Sequence, residues 1–329
     1  MTIILKKRRY VCCHCKKRFY EEYSFIQKYF RKSNELYNKI IQEAKQQKSL
    51  KTIAIDNHIS IPTVNRYITY NCFLNNKHKI YTFPAHIGID EFKGNTGDEK
   101  YQVQISDLDT GKVVDIVKSR KYDDLEIYLS KITNLKEVKT VSIDLYSPFR
   151  KIIKDKIPKA EIVADCFHYT RKVIEVLDRC RINVQKNMCK QYRDYFKGIK
   201  NLLIMRKSDL KWNGDIKLNK AFEISPLLKF IYEIKESFLE INSEKDPEKK
   251  KNMFREWMSY VETLEINNFN SVVKTFRNWY TPIANSFKYP HLSNGKTEGS
   301  NNKIKVFKRV SYGFRNFDNF RNRILIACS

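Results

Sequence analysis

Three short apolar runs each close on an aspartate: HIGID at 86–90, VSID at 141–144 and AEIVAD at 160–165. Runs of this length and composition predict buried strands. In open α/β sheets, sites form at the carboxyl ends of parallel strands. Asp90 and Asp144 therefore share one edge if their strands are neighbours. Two such carboxylates repel unless a cation lies between them. Mg²⁺ suits the position, because it binds few carboxylates together with a substrate phosphate. A third carboxylate from another element completes a two-metal centre, with ions ~3.5–4 Å apart. Glu298 is the candidate. It stands alone among five Lys and Arg residues in SNGKTEGSNNKIKVFKR, 293–309. On a helix, Glu298, Asn302 and Lys305 share a face, so a metal ligand and a phosphate-contacting cation point the same way. Taken singly, each aspartate also reads as a turn former after a strand, and Glu298 as a surface residue.

The elements that must position these groups follow an α/β pattern. Strands at 86–90, 101–107 and 112–119 come first, the last two joined by a hairpin at DTG. An amphipathic helix follows at 121–133, then a strand at 138–144. A helix at 147–157, with Ser147 as its cap, precedes a strand at 160–165. This order predicts a mixed five-stranded sheet with helices on its faces. From Tyr169 to Pro290 the periodicity is helical, and Glu298 opens the final basic helix. Upstream, a long helix is expected from Glu22 to Gln46. SLKTIAIDNHISIPTVNRYITY at 49–70 reads as a helix-turn-helix with Ser60 as N-cap. Its second helix turns Val64, Tyr67 and Ile68 inward and presents Thr63, Asn65, Arg66 and Thr69 to DNA. An ordinary helical hairpin fits that stretch as well.

The formal charge is +26. Residues 1–86 hold 17 Lys and Arg against 5 Asp and Glu. A surplus of this size favours a polyanionic partner, above all nucleic acid. No run approaches the ~20 apolar residues of a membrane span. The basic residues of MTIILKKRRYVCC follow its apolar run rather than precede it, unlike a signal peptide. Eight unevenly spaced cysteines suit reduced thiols in a cytoplasmic, nucleoid-associated protein. Cys12 and Cys15 form a C-x-x-C, half of a zinc site that needs four ligands. Trp257 and Trp279 read first as core residues of the helical stretch, and otherwise as platforms for an unpaired base.

From His86 onward the chain resembles DDE transposases of prokaryotic insertion sequences, most closely the ISL-three family. IGIDEFKG, DLDTGKVVDIVKSR, VSIDLYSPF, PKAEIVADCFHYTRKV and SNGKTEGSNNKIKVFKRVSYGFRNFDNFRNRIL carry the likeness. The resemblance implies an RNase H-like core at 86–168, closed by a glutamate helix at 291–329 and interrupted by an all-helical insertion at 169–290. A partial zinc-ribbon-like segment (1–20), a helix-turn-helix region (21–70) and a linker (71–85) precede it. It implies a triad of Asp90, Asp144 and Glu298, spaced 54 and 154 residues apart, holding Mg²⁺ or Mn²⁺. It marks Asp165 and His168 as a D-x-x-H signature that supports the core, with Asn302, although Asp165 as second ligand stays open. Lys303, Lys305, Lys308 and Arg309 are expected on the DNA backbone, and Trp279 on a base. Related N-termini carry an earlier cysteine pair that is expected to be missing here, leaving Cys12 and Cys15 an incomplete Zn²⁺ site. The implied activity is metal-dependent strand cleavage and transfer at terminal inverted repeats, by a homodimer or larger assembly on DNA. An RNase H-like nuclease or resolvase, or a decayed DNA-binding relative, are the alternatives.

Overall fold

The computed structural model describes residues 4–26, 30–76, 82–186, 188–292, 295–311 and 313–328, with backbone alone for 76, 267, 291 and 295–298. The chain divides into two compact units. One comprises Met1–Ile80, Gly94–Lys100 and Asn301–Ser329; the other comprises Tyr81–Lys93 and Tyr101–Ser300.

The first unit opens on an antiparallel ribbon, β1 (Arg9–Val11) and β2 (Arg18–Tyr20), whose turn holds the cysteines. Three helices follow: α1 (Asn34–Lys45), α2 (Leu50–Asp56) and α3 (Ile61–Asn76). The expected helix from Glu22 therefore starts too early: among the described residues, 22–26 and 30–33 lie outside α1. Ser33 caps α1 by accepting from the Leu36 amide, and the Asn34 side chain donates to the Ser24 carbonyl at 2.8 Å. Those side-chain bonds hold the preceding segment out of the helix. Ser49 caps α2 in the same way, at 2.9 Å from the Thr52 amide. At Ser60, the hydroxyl meets that of Thr63 while the carbonyl accepts the first helical bonds of α3. His58 takes a left-handed φ of 51° in the turn between α2 and α3. Helix α3 runs on through Asn76, so residues 71–76 are helical rather than linker.

The second unit is built on five strands: β3 (His86–Phe92), β4 (Gln102–Asp107), β5 (Val113–Val117), β6 (Thr140–Ile143) and β7 (Glu161–Ala164). Their order is β5-β4-β3-β6-β7, with β4 antiparallel to both neighbours and β3, β6 and β7 parallel. The β4–β5 turn is tightened by Asp107, whose carboxylate accepts from Asp109 and Thr110 amides, and by Gly111 at φ 76°. Helices α4 (Tyr122–Leu129) and α5 (Ser147–Lys156) make the crossovers. Ser147 is the first helical residue of α5 and Pro148 the second. Tyr146 is the cap residue, with no side-chain cap bond, so the expected Ser147 cap is displaced by one position.

Eight helices then follow: α6 (Cys166–Lys186), α7 (Lys190–Gly198), α8 (Lys200–Ile204), α9 (Trp212–Ile224), α10 (Pro226–Ser243), α11 (Pro247–Thr263), α12 (Asn267–Asn278) and α13 (Tyr280–Lys288). They share one continuous apolar core with the sheet rather than forming a separate body. Phe238, Phe254, Trp257 and Phe276 interlock at its centre, and the Trp257 indole N–H donates to the Ile234 carbonyl at 3.2 Å. Helix α13 packs on β7, where Asn285 donates to the Ile162 carbonyl at 3.0 Å.

Helix α14 (Gly295–Val310) begins three residues before the expected Glu298, and α15 (Phe317–Cys328) ends the fold. Residues 301–329 belong with the N-terminal helices rather than with the strands, against the expected grouping of 291–329 with the core. Helix α15 packs on α1 and α3, where Ile326 joins Ile40, Ala44, Ile53, Val64 and Ile68. Arg323, fully buried, donates to the Gln46 and Lys48 carbonyls at 3.0 Å each and lies 4.8 Å from the Phe307 ring. It thereby closes the α1–α2 loop onto α15.

Candidate active site

The parallel register of β3 and β6 sets Ile89 beside Ile143. The next residues, Asp90 and Asp144, therefore stand side by side at the strand ends. The register of β6 and β7 sets Ile143 beside Ala164, and the Asp165 amide donates to the Ile143 carbonyl at 2.9 Å. All three aspartates thus lie along one edge, as the strand endings predict.

The Asp144 carboxyl is strongly perturbed. Burial pushes its carboxyl up to about 6, against relief from His168; the Asp90 and Glu91 charges raise it further. One of its oxygens, Oδ1, is buried with no hydrogen-bond partner. An orphaned acceptor of this kind is costly unless a ligand satisfies it. His168, on the first turn of α6, places Nε2 3.6 Å from Asp165 Oδ2. The D-x-x-H pair therefore sits in close polar proximity beside Asp144, and Asp165 is itself buried. Glu91, next to Asp90, is held by Arg120 at 2.6 Å, and that guanidinium lies between the rings of Tyr101 (4.4 Å) and Tyr146 (5.1 Å). A cleft of about 220 Å³ opens at Asp144, edged by Tyr146, His168, Arg171, Lys172 and Glu175.

The donors suit a hard divalent cation: two adjacent carboxylates, one with an unsatisfied buried oxygen. Among the described residues, no group of three His, Cys, Asp or Glu side chains is gathered closely enough to hold an ion. Glu298 lies in the first turn of α14, and its side chain is outside the described residues. Farther along α14, Asn302, Lys305 and Arg309 are exposed on one face, while Ile304 and Phe307 are buried on the other. Lys303 is exposed and its ammonium bonds the Ala327 carbonyl, capping α15, and Lys308 is half-buried.

In the first unit, Val64, Tyr67 and Ile68 are buried and Arg66 and Thr69 exposed, as the periodicity of α3 requires. Arg66 donates to the Thr63 hydroxyl at 3.1 Å, and Asn65 is half-buried. Cys12 sits at the ribbon turn, its thiol pKa lowered by the Cys15 and His14 amides. The structure gathers no further described ligand around Cys12 and Cys15, so it lends a zinc centre no support. Trp279 is a correction: it is 4% exposed in the core, under the Arg150 guanidinium at 5.2 Å. That burial fits the core reading of Trp279 rather than the base platform.

Sequence reasoning passed over Gln104. It stands opposite Asp90 across the β3–β4 ladder, so both side chains project on one face. Gln104 is fully buried, and neither end of its amide has a hydrogen-bond partner. The signal was present in YQVQISD, where polar residues alternate on a face that turns out to be covered.

A sequence model described as a transposase, of the DDE type and the ISL-three family, matches residues 87–324. The chain belongs to the ISL-three family of DDE transposases. Its relatives include the transposase for insertion sequence element IS1001 of Bordetella parapertussis, 25% identical over 248 residues, 74% of this chain and 60% of that one. The transposase for IS1557 of Mycobacterium tuberculosis is 23% identical over 254 residues, 70% and 56% of the two chains. A Lactococcus lactis protein described as an ATP-dependent protease is 28% identical over 171 residues, 50% and 49%. The chain thus spans about half to three-fifths of the length of these relatives. It carries no phosphate-cradling G-x-x-x-x-G-K motif of an ATPase, since no two of its nine glycines are five residues apart. Both parallel-strand carboxylates, the D-x-x-H residues, α14 and α15 as far as Ile324 fall inside the span that this family matches.

Proposed function

We propose that this ISL-three family member binds the terminal inverted repeats of an insertion sequence and cuts and joins DNA at Asp90, Asp144 and Glu298. The observation that carries this reading is the pairing of Asp90 with Asp144 at adjacent parallel strand ends, where a buried Asp144 oxygen lacks a partner. The strand order, with β4 as the antiparallel member, supports an RNase H-like assignment for the sheet. Asp90, Asp144 and Glu298 would hold Mg²⁺ or Mn²⁺. Bound there, the cation supplies an acidified water and charge stabilisation at the leaving 3′ oxygen.

The chain's own residues then have separable tasks. Asp144, its carboxyl raised to about 6, is mostly ionised at neutral pH. Asp165 holds His168 beside Asp144 and thereby biases that ionisation. Arg171 and Lys172 edge the cleft where the scissile phosphate enters. Asn302, Lys305 and Arg309, exposed along α14, contact the backbone of the same DNA. Helices α2 and α3 act as the helix-turn-helix, with Thr63, Asn65 and Arg66 at the base edges. Two element ends must be brought together, so the working form is a dimer or larger assembly on DNA.

The test uses a duplex of the inverted repeat taken from the DNA flanking the gene. The wild type should nick it at the element end with Mg²⁺ and join the freed 3′ end to target DNA. Asp144→Asn and Glu298→Gln should retain repeat binding and lose cleavage. Cleavage that persists in both variants sinks this site, and cleavage without joining would favour a nuclease.

A further inference from the structure

Beside the Asp144 cleft, and sharing its Arg171 and Glu175, a larger cleft of about 940 Å³ runs along α6. Successive turns of α6 line it: Phe167, Thr170, Arg171, Ile174 and Asp178 fall on one face at helical spacing. Its volume is in the range of sites that hold flat organic ligands, roughly 300–1,000 Å³. Phe167 stands at its edge with 53% of its surface exposed, two residues after Asp165. Its ring meets the neighbouring His168 ring edge-on at 5.6 Å, and the rest of it is open to the cleft.

The character of the cleft indicates what fits. Ile174, Ile204, Met205 and Leu239 supply apolar walls. Its three cations face three carboxylates: Arg171 pairs with Glu175 at 2.9 Å and Lys200 with Asp178 at 3.2 Å, while Arg206 donates to the Ser243 hydroxyl and Asp209 lines the same wall. Matched charge and apolar walls suit a neutral planar group better than a phosphate. Polar edges are available too. Asn242 donates to the Thr170 hydroxyl at 3.0 Å, and its side-chain oxygen Oδ1, just below the surface, has no partner.

We propose that this cleft receives an unpaired nucleobase of the strand being cut, stacked on Phe167, while the adjoining phosphate lies at Asp144. The inference rests on the DNA-cleaving reading above and names a part of the substrate for that site. The spacing allows it. From Phe167 to Asp178 the helix rises about 16 Å, and a DNA strand advances ~3.4 Å per nucleotide. The captured base therefore lies within a few nucleotides of the scissile bond. Stacking on Phe167 offsets the cost of unpairing it.

The experiment compares wild type, Phe167→Ala, Phe167→Trp and Met205→Trp on the inverted-repeat duplex, fully paired or with an abasic site at each of the three positions beside the cleaved bond. Phe167→Ala should cut the paired duplex about 5- to 150-fold more slowly, the change expected for one lost base–aromatic stack. Phe167→Trp should stay near wild type, and Met205→Trp, which fills the cleft, should match the alanine variant. At one abasic position wild type and Phe167→Ala should become equal, because no base remains to stack. A merely structural role for Phe167 would not produce that equality. Equal rates for wild type and Phe167→Ala on paired DNA, or a difference that survives at every abasic position, overturns the proposal. Failure of wild type itself to cut, with repeat binding intact, overturns the catalytic reading instead.

Discussion

Replacing Asp144 with asparagine should stabilise the metal-free protein at neutral pH and leave it unchanged in acid. The folded state raises the Asp144 carboxyl from 3.8 to about 6, chiefly by burial. The native protein therefore binds this proton more tightly than the unfolded chain does. The favourable contribution is complete below pH ~3.8, and it declines as pH rises through that window until the folded carboxyl ionises near 6. A shift of this size corresponds to about 3 kcal/mol, at 1.36 kcal/mol per unit. Solvent at the open edge of the cleft makes that a ceiling. Asparagine keeps the shape and removes the titration. Urea denaturation in EDTA, at pH 4 and at pH 7.5, measures the difference between the two proteins; titrating groups remote from Asp144 cancel, and the difference reads Asp144 together with its neighbours Asp90, Glu91 and His168. The expected gain is up to about 3 kcal/mol at pH 7.5 and near zero at pH 4. A gain independent of pH, or a loss at pH 7.5, refutes the argument that an uncompensated carboxylate sits at this strand end. Adding Mg²⁺ should reverse the order at pH 7.5, because a ligand that binds only the folded wild type stabilises it by mass action.

Asp90→Asn should lower the Asp144 pKa, since the Asp90 charge is one of the causes that raise it; a carboxyl-detected NMR titration of both proteins reads the change. Gln104→Leu should be neutral or stabilising in urea melts, because it removes a buried amide without partners, yet slow cleavage if that amide positions Asp90. Arg323→Ala should destabilise the first unit, at about 1–3 kcal/mol for each of the Gln46 and Lys48 carbonyls left without a donor. Its proteolysis pattern should open at the α1–α2 loop. Repeat-DNA affinity, by fluorescence anisotropy, should fall about 10³-fold or more between 50 and 200 mM salt if six or more phosphates are contacted; a flat salt response refutes the reading of the +26 charge.

The sheet was legible because its signals are local. HIGID, VSID and EIVA are apolar runs with an aspartate at or just after the end, and the DTG turn fixes a hairpin. Their parallel neighbours follow from the connecting helices. What was not legible depends on partners far along the chain. The start of α1 was misplaced because YEEYSFIQKYF has helical composition, whereas the Asn34 bond to Ser24 and the Ser33 cap decide otherwise. The grouping of 301–329 with the N-terminal helices was invisible because it rests on Ile326 and Arg323 meeting residues more than 250 positions away. Trp279 shows the same limit. A tryptophan near a basic helix is equally a stacking platform or a core residue, and only the Arg150 cover and its burial decide.

Asp144 and Phe167 show why one sequence stretch can carry two functions at this edge. The β7–α6 junction places Asp165 under His168, and the turn of α6 then puts Phe167 and His168 on different sides of the same helix start. His168 faces the Asp144 cleft, and Phe167 faces the larger one. Arg171 and Glu175, one and two turns on, border both. A single helix beginning at a strand end therefore divides the space above the sheet edge into a charged compartment and an apolar one. A nucleotide has that same division, with a phosphate at one end and a flat base at the other. On the proposal above, the length of α6 between the compartments would set which base, counted from the scissile phosphate, reaches the second.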